Sequence, residues 1–116
     1  MNLNNLLILP KEIDDPIQNE KRSLESNLQR LVENIFKLQY WESERGRDYR
    51  HWTAMVFDSR NYICNLLQNN PSLRKYLERV YPGIYQDAVS LWQNEFYIPS
   101  DSPIMLERIL QENYFG

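Results

Sequence analysis

Cys64 and His51 are the only cysteine and the only histidine in this sequence, so they come first for any chemistry. Thiol catalysis needs the sulfur within hydrogen-bond reach of a base. These two stand thirteen positions apart on one predicted helix, roughly 20 Å at 1.5 Å per residue. They do not meet within one chain, and Cys64 reads as a small, half-buried packing residue. Asp48 and His51 lie one helical turn apart, a spacing that places two metal ligands side by side. A di-iron bundle, however, needs two Glu-x-x-His pairs and two further inward carboxylates. One histidine does not supply them, so neither a metal nor a cofactor is expected. His51 instead reads as a partly exposed side chain beside Trp52, paired with Asp48. The neighbouring carboxylates Asp14 and Asp15, Glu42 and Glu44, and Glu107 and Glu112 lack the apolar surroundings that raise a carboxyl pKa for acid catalysis. The sequence points away from an enzyme.

The most suggestive surface is Tyr40, Trp41, Arg45, Arg47, Tyr49, Arg50, His51 and Trp52. Of these, Trp41, Arg45, Arg47, Tyr49, Arg50 and His51 form the candidate interaction surface. Arginines between aromatics suit single-stranded nucleic acid, with charge for phosphate and flat rings for bases. The same composition marks the centres of protein interfaces. A plainer reading has Trp52 heading a core stripe, Tyr40 and Trp41 capping a helical hairpin, and the arginines pairing with Glu42, Glu44 and Asp48. Arg74, Lys75 and Arg79 make a second basic patch, which reads as a salt-bridge surface beside Glu78.

Helices must position all of these. Leu24, Leu28, Leu31, Ile35 and Leu38 recur at intervals of four and three, as do Trp52, Val56, Ser59, Ile63 and Leu66. That spacing places each set on one side of a 3.6-residue helix. Asp15-Pro16 reads as a cap followed by proline in the first turn, which opens a helix over about 16–42. Ser43 to Arg47 reads as a charged connector, with Gly46 available for a left-handed turn. The second helix then covers about 48–68, with Met55, Tyr62 and Leu67 added to its main stripe and Phe57 and Cys64 on a weaker second face. Asn70-Pro71 is the next stop and restart, with Asn70 as the cap. Leu73, Leu77, Val80, Ile84, Ala88 and Leu91 keep one phase across Pro82-Gly83. A single helix over about 71–96 follows, kinked at Pro82 where the bond to Glu78 is lost. A short helix over about 103–111 turns Met105 or Leu106, Ile109 and Leu110 inward. The fold class is an all-α bundle, with the first two helices antiparallel.

Composition sets the outer bounds. A chain of 116 residues is one domain, with residues 1–15 as a loosely packed N-terminal arm. Three glycines argue against a turn-rich β fold or a glycine-rich phosphate loop. The net charge of −3 gives no overall attraction to nucleic acid or an anionic membrane. A single cysteine allows no internal disulfide and suits a reducing compartment. Leu6 to Leu9 has no basic segment before it and stops at Pro10, so neither a signal peptide nor a membrane span is expected, and the cytoplasm is the expected location.

The stretch Lys21-Arg22-Ser23-Leu24-Glu25-Ser26-Asn27-Leu28, with Phe36-Lys37-Leu38-Gln39-Tyr40 after it, resembles an all-helical bacterial family abundant in cyanobacteria, catalogued as domain of unknown function 29. Tyr49-Arg50-His51-Trp52, Asn70 to Leu77 and Ser102 to Leu110 are similar to its pattern in the same order. The resemblance spans about residues 20–116 and implies the helical fold, with no activity attached. The chain departs from it in three places. The N-terminus is short and split by prolines, Asn34 stands where many relatives have a histidine, and Pro82-Gly83 interrupts a helix that is continuous in relatives.

The functional expectation is a non-enzymatic helical scaffold that works by helix-face contacts with itself or another protein. The first helix has an apolar face about 160° wide by the 100° step per residue, more than one neighbour covers, which suggests a homodimer. The alternative is a single-stranded nucleic-acid-binding module built on the Arg/aromatic patch at 40–52.

Overall fold

The computed structural model of the protein describes residues 16–116, and the expected arm at 1–15 lies outside the described residues. Four helices follow in order: α1 (Pro16–Tyr40), α2 (Glu42–Asn69), α3 (Leu73–Trp92) and α4 (Leu106–Ile109). There is no strand among the described residues, and the chain has the expected all-α architecture. α1 packs against both α2 and α3. Tyr76 donates a hydrogen bond to Glu25, and Tyr85 meets the Phe36 ring edge-on at 5.2 Å. α3 therefore runs in the same direction as α1, with α2 antiparallel to both.

The inward face of α1 is the one its spacing predicts. Leu24, Leu28, Leu31, Val32, Ile35 and Phe36 are fully buried and Leu38 nearly so. α2 covers one flank of this stripe and α3 the other. The width that suggested a second copy is thus filled inside one chain. Trp52, Val56, Ser59 and Ile63 supply the facing stripe of α2, and Leu73, Leu77, Ile84 and Ala88 that of α3. Each fully buried leucine or isoleucine contributes about 1.5–3 kcal/mol relative to an exposed one.

Four expectations need correcting. The connector at 43–47 does not exist: α1 ends at Tyr40, Trp41 alone is the joint, and α2 begins at Glu42. The Trp41 N–H donates to the Lys37 carbonyl at 3.1 Å, and the Glu44 N–H donates to the Trp41 carbonyl at 3.2 Å. Glu42 and Glu44 in the first turn of α2 suit the positive end of the helix dipole. Arg45 and Arg47 are good helix formers, so the charged stretch propagates helix, and Gly46 sits inside it with no positive φ.

Asn70 caps the end of α2 rather than the start of α3, since its N–H donates to the Leu66 carbonyl at 2.9 Å. α3 runs unbroken through Pro82 but stops at Trp92, because Phe96 folds back to stack on Trp41 at 5.1 Å. The last helix is a single turn, in which Leu106 and Ile109 are buried and Met105 is exposed. Leu91 and Tyr62, placed inward, turn out to face solvent, and so does Phe57 of the weaker second face.

A β-carbon added at Gly46 meets nothing within 4 Å. Gly46→Ala is expected to stabilise the protein by about 0.5–1 kcal/mol in urea unfolding, as for glycine inside a helix. A loss of stability would restore the turn.

Candidate functional site

The six residues of the Arg/aromatic patch do not share one surface. Trp41 stacks on Trp52 with ring centroids 5.8 Å apart and 10° between planes, and on Phe96 at 5.1 Å. Its ring is part of an aromatic cluster that Trp92 completes at 5.8 Å. Arg45 turns back along α1, and its Nη2 donates to the Gln39 carbonyl at 3.2 Å, which caps a free carbonyl at that helix end. Arg47 pairs with Glu44 and with Asp48 at 3.5 Å. Tyr49, Arg50 and His51 are exposed on successive faces of α2. The second basic patch is likewise engaged in part, with Arg74 pairing with Glu78 at 3.1 Å and the Arg79 guanidinium over the Tyr76 ring at 5.6 Å.

His51 lines a polar groove of 390 Å³ between α1 and α2, together with Arg30, Glu33, Asn34 and Lys37. Asn34 is buried, and its Nδ2 donates to the Arg30 carbonyl at 2.8 Å. Lys37 rests its ammonium 4.2 Å from the centre of the Trp92 ring. Burial holds its pKa below the ordinary lysine value, against the opposing pull of Glu33 and Asp48. Glu33 is bound by Gln29 at 2.8 Å. The groove has mixed charge and is shallow. Among the described residues, no group of three or more His, Cys, Asp or Glu is placed to hold a metal ion.

The structure also brings together residues that the sequence reading did not single out. Arg60 is 4% exposed, and its fork donates to the carbonyls of Ile109 at 2.9 Å, Glu112 at 3.0 Å and Tyr114. Its guanidinium also lies 5.3 Å from the Phe115 ring centre. Burial lowers its pKa, with Cys64, Glu112 and Tyr114 opposing. One side chain on α2 thus binds three carbonyls of the C-terminal tail. The sequence did carry a signal: Arg60 falls one turn after Val56, in phase with an apolar stripe, where a charge needs partners.

Tyr81 and Tyr85, one turn apart on α3, clasp the backbone of a single residue, Ile104. The Tyr81 hydroxyl donates to the Ile104 carbonyl at 2.7 Å, and the Ile104 N–H donates to the Tyr85 hydroxyl at 3.1 Å. The clasp stands the 98–105 loop beside α3. Between them runs a groove of 540 Å³, lined by Tyr81, Pro82, Tyr85, Gln86, Val89, Gln93, Ile98, Pro99, Ser100, Pro103, Ile104 and Met105. None of these side chains carries a charge at neutral pH. Met105 on its rim is 64% exposed.

A family model described as Domain of unknown function DUF29 matches residues 2–115. The chain belongs to that family. No curated protein and no solved structure matches it. The DUF29 match is wider than the resemblance at 20–116, taking in the N-terminal residues as well. The segments that carried the resemblance map onto α1, α2, the joint before α3, and the loop leading into α4. Asn34 lines the same polar groove as His51.

Two outcomes follow from this geometry. Arg60→Met keeps the bulk but leaves buried carbonyls unpaired, and is expected to lose at least ~2 kcal/mol in urea unfolding. Arg60→Lys should recover little of it, because an ammonium lacks the planar fork. At alkaline pH, the folded chain holds its tyrosine protons longer than the unfolded chain. Burial pushes Tyr40 from 10.0 up to about 12, with Tyr85 and Tyr114 adding to it, and burial raises Tyr81 in the same direction. The unfolded state therefore binds fewer protons across that window, and stability falls as pH rises. Melting temperature should hold steady below about pH 10 and fall above it, less steeply in Tyr40→Phe.

Proposed function

We propose that this chain is a non-enzymatic helical interaction protein of the cytoplasm, and that its docking surface is the uncharged groove between α3 and the 98–105 loop. The observation that carries the reading is the groove itself. It holds 540 Å³ against α3, and its other wall is tied to that helix by two buried tyrosine hydrogen bonds. Apolar clefts of this size with few polar groups take up side chains from a partner. Methionine at the rim suits a surface that adapts to its occupant.

Other features agree with contact rather than catalysis. His51 and Cys64 both lie on the unbroken α2, roughly 20 Å apart along its axis. Trp41 is engaged inside the aromatic cluster, which removes the central platform of the nucleic-acid reading. The buried face of α1 is already covered within one chain, so self-association, like partner binding, would use the α3 groove. No helix among the described residues is long and apolar enough to cross a membrane.

Affinity capture on the immobilised protein, compared between variants, tests this reading. Met105→Glu and Gln86→Glu both change exposed groove residues and should reduce retention of a bound protein or of a second copy at least tenfold. Phe57→Ser on the outer side of α2 should leave retention unchanged. Equal retention by all variants would move the surface elsewhere.

A further inference from the structure

The groove is uncharged along its length, but its two ends differ in the charges that flank them. Ile104 is held at Tyr81 and Tyr85, so the loop wall runs back along α3 and its earlier residues flank the Gln93 half. Asp101 stands next to Ser100 in that wall, and Glu95 comes two residues after Gln93; both are exposed. α3 also ends there, with no basic residue in its last turn, so the negative pole of the helix dipole adds to the two carboxylates. Residues 81–116 as a whole carry Asp87, Glu95, Asp101, Glu107 and Glu112 against Arg108 alone. At the Tyr81 end the sign changes, because the exposed cations Lys75 and Arg79 precede the groove on α3.

We propose that the groove takes an apolar segment of a partner protein that carries Lys or Arg at the end beside Gln93. The inference rests on the groove being a docking surface and names the chemistry of its occupant. Apolar side chains fill the neutral body, where an unpaired charge would have to shed its water. Basic side chains meet Glu95 and Asp101 at one end, which sets the direction in which the segment lies. A reversed segment would bring its cations against Lys75 and Arg79. Glu107 and Arg108, which share an adjoining cavity with Met105, offset each other.

Fluorescence anisotropy on the full-length chain tests the proposal with two labelled peptides that share one leucine–alanine body. One ends in three lysines and the other in three glutamates. At low salt the lysine peptide should bind at least tenfold more tightly, and the preference should shrink as salt shortens the reach of exposed charges. Glu95→Lys and Asp101→Lys should each weaken the lysine peptide at least threefold. Asp58→Lys, an equal change of net charge on the exposed side of α2, should leave it unchanged. Met105→Ser should weaken both peptides, with helical dichroism unaltered. An Asp58→Lys loss as large as the other two would reduce the attraction to overall charge and overturn the proposal. Equal binding of the two peptides, both weakened by Met105→Ser, would leave the groove as a docking surface and overturn its basic-ended occupant. Binding of both peptides that Met105→Ser does not weaken would count against both readings. Sedimentation as a dimer that Met105→Ser dissolves would put a second copy in the groove and overturn the proposal as well.

Discussion

α1 is the element on which the rest of the structure depends, because it is buried from two sides. Its stripe from Leu24 to Leu38 is too wide for one neighbour, and α2 and α3 close on it from opposite flanks. Every residue of that stripe is buried within the one chain. The usual inference from a broad apolar face to a dimer therefore meets a simpler answer. The third helix covers the flank of α1 that suggested a second copy.

Side chains rather than helices secure the second half of the chain. Residues after Trp92 hold only one helical turn and offer few backbone bonds of their own. Arg60 supplies donors to three carbonyls of the tail, and the two α3 tyrosines partner both the N–H and the carbonyl of Ile104. Tyr114 adds a bond to Gln39 at 2.9 Å. Buried groups of this kind are costly when unpaired, which makes each anchor specific for one seat. A loop held so firmly can serve as one wall of a groove, since it does not collapse onto α3.

Period-3.6 spacing made the helices and their inward faces legible in the sequence. Every α1 residue placed in the core by that spacing is buried, and the phase carried across Pro82 correctly indicated one helix. Boundaries were less legible where composition and context disagreed. Ser43 to Arg47 looks like a loop because it is polar and contains Gly46, yet glutamate and arginine are also what the exposed turns of a helix use. Tyr62 falls at the edge of the α2 stripe by the 100° step and Leu91 stands one residue from the end of α3, and both are exposed. The groove was not readable at all, since it depends on contacts between residues 81–93 and 98–105 that no local pattern encodes. Trp41 illustrates the same gap: beside arginines in sequence it resembles a binding residue, and in space it faces Trp52 and Phe96.

The crowding of Trp41, Trp52 and Trp92 at the α1–α2 joint has an optical consequence. These are all the tryptophans of the chain, so intrinsic emission observes one end of the bundle and is blind to the other. Far-ultraviolet dichroism, averaged over every helix, has no such bias. Comparing the two signals during denaturation would show whether the joint and the opposite pole come apart together, without introducing any artificial label.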